Sequence, residues 1–165
     1  MIYKLFYNEM QDDFIEIPPI EFKYLILPCM ASEFQKISTK PVTVTASNTD
    51  GGPVFPDFLY DNNVPLFSEK LFREMKKAGT SHLLCVPVNV RDTLQNVTVP
   101  YVLGLPPRIN VTDDYGNIDE RKAGNYSIFK SSIALDNTIY ITQPMYDILI
   151  AYNPKGLEIF ENEVL

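Results

Sequence analysis

His82 is the single histidine of this 165-residue chain, and its two cysteines are Cys29 and Cys85. Zinc sites draw three or four Cys and His ligands at short, characteristic spacings, so this set excludes one of any standard kind. A thiol nucleophile would need the Cys85 sulfur and the His82 imidazole to converge. Three residues apart on one strand, they face opposite sides. Neighbouring acids, at Asp12 and Asp13 and again at Asp113 and Asp114, are the remaining residues with acid–base potential. Adjacent carboxylates in polar loops are ordinarily solvated charges and not a hydrolytic pair. No Gly-x-Gly-x-x-Gly, Walker-type, Gly-x-Ser-x-Gly or His-Glu-x-x-His pattern occurs, and only seven glycines are available for phosphate-cradling loops. Asp50-Gly51-Gly52 is a turn signal. The expectation is a protein that is not an enzyme, with no cofactor and no metal.

Recognition chemistry is better supplied. Three stretches, 8–21, 41–69 and 109–120, carry carboxylates and aromatics with no lysine or arginine. In the middle stretch Phe55, Phe58 and Tyr60 are candidate apolar anchors, and Asp50, Asp57 and Asp61 a candidate negative rim. The third stretch contributes Asp113, Asp114 and Asp119. A net charge of −7 lacks the clustered positive field that nucleic acid or an anionic membrane requires. The partner predicted from this is a basic protein.

These residues need a scaffold, and the length suits one domain over 1–165. Hydrophobic residues at 45% and charged residues at 21% are globular proportions, and no apolar run is long enough to span a bilayer. The first residues carry no small-residue cleavage site, both cysteines sit in apolar stretches that suit free thiols, and the three Asn-x-Ser/Thr sequons read as loop chemistry. Together these predict a soluble, cytoplasmic protein.

Strands are expected at 2–7, 22–27, 42–46, 82–90, 101–105, 126–135, 138–141 and 157–160, from β-branched and aromatic content. Pro87 places the 82–90 strand near an edge or at a bulge. Ser68 is an N-cap for an amphipathic helix ending at Gly79, with Leu71, Phe72, Met75 and Ala78 on one face. Thr142 is expected to cap a second helix, with Pro144 in its first turn and Met145, Leu149 and Tyr152 inward. The 106–124 span should be a long loop. The predicted fold class is α+β, with a mixed, largely antiparallel sheet, two main amphipathic helices and long loops.

Set beside each other at an offset of 74, residues 64–86 and 138–160 align without a gap, pairing Ser68 with Thr142, Leu71 with Met145, Met75 with Leu149 and Gly79 with Asn153. Each copy reads as extended segment, hydroxyl cap, helix, turn and strand. Either one supersecondary unit is used twice, or any two capped helices followed by strands would match this well.

The order of features over 65–160 resembles an immunity-protein family of bacterial polymorphic-toxin systems. The features are a Ser-capped helix after a proline-hydrophobic step, a loop Asp (Asp119), a following aromatic (Phe129), a second capped helix and a terminal Gly156-Leu157 strand. The family often has a hydroxyl residue soon after the loop Asp, where this chain runs Glu120-Arg121-Lys122-Ala123-Gly124, and the N-terminal third does not match. The resemblance implies an antidote that binds a cognate toxin and blocks it. The alternative is a non-catalytic adaptor or a structural component of a phage or secretion assembly.

Overall fold

The structure is a computed structural model and describes residues 1–8, 13–17, 42–46, 52–61, 64–133 and 136–162. The strand expected at 22–27, most of the turn at 47–52, Asp50 and Cys29 lie outside the described residues.

In chain order the elements are β1 (Ile2–Tyr7), β2 (Val42–Thr45), β3 (Phe58–Asp61), β4 (Val64–Ser68), α1 (Glu69–Met75, extended by a 3-10 turn at Lys76–Ala78), β5 (Leu84–Asp92), β6 (Val97–Leu105), β7 (Arg108–Ile109), α2 (Glu120–Ala123), β8 (Ile128–Ser131), β9 (Ile139–Thr142), α3 (Gln143–Tyr152) and β10 (Leu157–Glu161). The class is α+β, but the strands form two five-stranded sheets where a single one was expected. Their orders are β2-β5-β6-β4-β3 and β10-β1-β9-β8-β7. Among the described strand pairs, β2 with β5 and β7 with β8 run parallel.

The two sheets share one plan. Leu103 of β6 lies between Leu66 of β4 and Val86 of β5; Lys4 of β1 lies between Tyr140 of β9 and Phe160 of β10. The offset of 74 that aligns the sequence places Leu66 on Tyr140 and Val86 on Phe160. Phe58 faces Phe67 across the β3–β4 pair, and Ile128 faces Ile141 across β8–β9. Each unit is therefore four antiparallel strands with a helix between the second and third, in matching register. They differ in where the centre strand comes from. In the first unit it is β6, which follows β5 through a hairpin; in the second it is β1, from the other end of the chain.

Alternation then assigns the faces. Tyr3, Leu5, Phe58, Phe67, Ile128, Ile139 and Ile141 from the sheets meet Leu71, Phe72, Met75, Met145 and Leu149 from the two helices in the main core. The far face of the first sheet buries Leu59, Leu66, Val86, Val88, Val90 and Leu103. The far face of the second is covered over Ile2, Phe129 and Tyr140 by Val111 and Ala123 from the 106–124 span.

That span contains the two-residue β7 and the single-turn α2, and is otherwise irregular. Pro87 stays inside β5, pairing with Val102 of β6, and the described pairing with β2 begins one residue beyond it at Val88. Thr142 holds the N-cap position of α3, but its hydroxyl makes no cap bond to the helix and instead points to the Ser127 carbonyl oxygen, 3.5 Å away. Pro144, with no N–H, removes one of the donors a cap would serve.

Candidate protein-binding surfaces

Among the described residues, His82 and Cys85 lie at the junction of the strands. His82 Nε2 lies 2.9 Å from the Ile128 carbonyl oxygen, and its ring meets Tyr126 edge to face at 5.2 Å. Burial pushes the Cys85 thiol up to about 11, so at neutral pH it is not a thiolate nucleophile. Among the described residues, no three His, Cys, Asp or Glu side chains gather as a metal site would need. No helix among them is long and apolar enough to cross a membrane.

The middle acidic-aromatic stretch is folded inward. Phe58 is completely buried against Phe67, Tyr7 and Tyr60, which makes it core and not a surface anchor. The Asp57 carboxylate accepts from Ser68 Oγ at 2.7 Å, Tyr152 OH at 3.2 Å and the Lys155 N–H at 2.9 Å. It ties the start of α1 to the end of α3 and is not a rim charge. Tyr60 OH donates to the Asn137 carbonyl oxygen at 2.9 Å and accepts from Lys130 Nζ at 3.1 Å, and burial pushes its phenol up to about 12. Asp61 ends β3 on the Val64 pairing.

Lys130 belongs to a polar cluster that the residue pattern did not mark out. It stands across β8–β9 from Ile139 as Tyr60 stands across β3–β4 from Pro65, so the bond between them joins equivalent points of the two units. Burial, reinforced by the nearby Arg108 charge, pushes the Lys130 ammonium down to about 8. Arg108 in turn donates to the Ser131 and Asp136 carbonyl oxygens and to Asn137 Oδ1, each within 2.9 Å, and Tyr140 OH donates to Asp136.

The third stretch remains on the surface, and its acids fix its shape. One Asp113 oxygen accepts from the backbone N–H groups of Tyr115 at 2.9 Å and Asn117 at 2.8 Å, and Gly116 adopts φ +86° to close the turn. Burial works against the charge on Asp113, but those hydrogen bonds outweigh it and hold the carboxyl below its ordinary range. Asp119 caps α2 through the Arg121 N–H and takes the Arg121 guanidinium on both oxygens, which holds its carboxyl low. Asp114 is exposed, and beside it Tyr115 is 91% exposed. The turn residues of Asp-Asp-Tyr-Gly-Asn were visible in the sequence; that they leave the tyrosine outside was not.

Of the expected partner-binding residues, Asp113, Asp114 and Asp119 thus lie on one ordered loop, whereas Asp57, Phe58 and Tyr60 lie in and around the junction between the units. No protein-family model and no curated protein matches the chain.

Proposed function

We propose that the chain is a binding protein that neutralises a cognate toxin by direct contact, as the family resemblance implies, and that the 110–120 loop is the contact. The observation that supports this most is Tyr115. Tyr115 is 91% exposed at the tip of a turn that the Asp113 carboxylate and the positive-φ Gly116 close. Rigid tyrosines are efficient interface anchors, because little side-chain or loop freedom is lost on binding. Asp114, exposed beside it, supplies a negative charge suited to a basic partner.

The test is co-expression with the toxic C-terminal domain of the modular gene directly upstream. Growth should be protected by the wild-type chain and not by Tyr115→Ala carrying Asp114→Asn, with both chains folded to the same melting temperature. Equal protection by the two would sink the loop as the contact. A neighbourhood of assembly genes with no toxin would favour the adaptor reading.

A further inference from the structure

We infer that the outer edge of β10 is a second binding site, separate from the Tyr115 loop. It takes an extended segment of a partner protein as an added strand, with lysine or arginine set against Glu158 and Glu161 and an aromatic residue against Phe160.

The backbone provides the first part of the reasoning. Among the described residues β10 is the longest strand at an edge of either sheet, and it pairs only with β1. At the two ends of that pairing the Asn8 N–H donates to the Gly156 carbonyl oxygen at 3.1 Å and the Asn162 N–H to the Ile2 carbonyl oxygen at 3.0 Å. Antiparallel bonds alternate, so between those ends Glu158 and Phe160 face β1, and the N–H and C=O groups of Leu157, Ile159 and Glu161 point to the open edge. The first unit blunts the matching place. At the offset of 74 Glu161 falls on Pro87, which has no N–H to offer, and beyond it β2 takes the edge of β5 from Val88 to Arg91. Among the described residues β10 has neither the proline nor the added strand.

Side chains specify the occupant. Glu158 and Phe160 project from the far face of the second sheet beside Phe6, whose ring meets Phe160 edge to face at 5.4 Å. The 106–124 span covers that face over Ile2, Phe129 and Tyr140 and leaves Phe6 and Phe160 outside, 42% and 52% exposed. Glu158 and Glu161 are exposed and paired with no cation among the described residues. Opposite charges and aromatic pairs set across neighbouring strands stabilise the pairing, so an antiparallel newcomer reads basic, aromatic, apolar, basic, apolar against Glu161, Phe160, Ile159, Glu158 and Leu157. A second copy does not meet this pattern. Two β10 strands paired about Ile159 gather both copies of Glu158 and Glu161 into one ribbon, between chains that each carry −7.

The experiment titrates the 15N-labelled full chain with the peptide acetyl-Lys-Phe-Val-Lys-Val-amide at millimolar concentration. The expected result is an alternating pattern, with amide shifts at Leu157, Ile159 and Glu161 larger than those at Glu158 and Phe160, whose N–H groups already serve β1. Binding should be at least several-fold weaker for acetyl-Glu-Phe-Val-Glu-Val-amide. Glu161→Pro removes an N–H that β1 does not use, and should weaken binding by about tenfold or more, equivalent to about 1.4 kcal/mol. Glu158→Lys combined with Glu161→Lys, a surface change, should weaken it several-fold even if Glu161→Pro fails to fold. Absent shifts on β10, shifts without alternation, equal binding of the acidic peptide, or the double lysine variant without effect would overturn the assignment. Self-association of the free protein that the double lysine variant alters would place β10 of a second copy on the edge and overturn the foreign segment. The Tyr115 loop is tested separately by toxin protection, so either site can fail alone.

Discussion

Asp57 shows how far a residue's type can mislead about its place. An aspartate beside exposed-looking aromatics suggests a charged rim, but its three donors come from Ser68, Tyr152 and Lys155, the last two nearly a hundred residues away and invisible to local pattern. Asp57→Ala should therefore cost about 2–4 kcal/mol in urea unfolding, because the donors it satisfies lose their acceptor. Phe58→Ala should cost about 3–5 kcal/mol, as a buried aromatic does. Lys130 gives a pH signature. Its folded value of about 8 lies below the ordinary 10.5, so between these the unfolded chain holds a proton that the folded chain has shed, and stability rises with pH. Cys85, raised from 9.0 to about 11, acts with the opposite sign above pH 9. The clean window is thus from about pH 8 to about pH 9, where wild-type unfolding free energy should climb and that of Lys130→Met should climb less. Parallel slopes for the two proteins would refute the assignment. By contrast, the bonds that Asp113 and Asp119 make are local, since their partners lie within four residues.

At the scale of elements, what could be read was what is local. The positions of α1 and α3 and the strand after each follow from spacing, with Ser68 capping α1 and Pro144 opening α3, and the alignment of residues 64–86 on 138–160 matches the register of the two sheets. The equivalence of β1 with β6 could not be read, because one precedes its unit's helix by more than a hundred residues and the other follows it by a hairpin. The β3–β4 pair was hidden by Pro65, by Pro53 and Pro56 just before it and by its aromatics, which resemble a loop. The caps separate the two units energetically. Ser68 Oγ accepts from the Leu71 N–H at 3.2 Å and also bonds Asp57, so Ser68→Ala should cost about 1–2 kcal/mol. Thr142 makes no cap bond, and Thr142→Ala should change stability by no more than about 0.5 kcal/mol. Chemical denaturation of both mutants checks this, and equal losses would contradict it.

Across the whole molecule the two units are locked by more than contact. The centre strand of the second unit precedes the first unit in the chain, the main core draws on both sheets, and Asp57 and the Tyr60–Lys130 bond bridge them. Neither unit retains its core without the other, so calorimetry should show one cooperative transition; two separated transitions would refute this. The 110–120 loop lies apart from that junction, packed through Val111 and Ile118 on the far face of the second sheet. The binding proposed for this loop is the capture of a basic toxin through Tyr115. It is tested most directly by titration calorimetry of the wild type and Tyr115→Ala against the toxin domain, with melting temperatures measured alongside. Loss of about 2 kcal/mol or more of binding free energy, roughly thirtyfold in Kd, with unchanged stability is the predicted result. Unchanged affinity in Tyr115→Ala would contradict it.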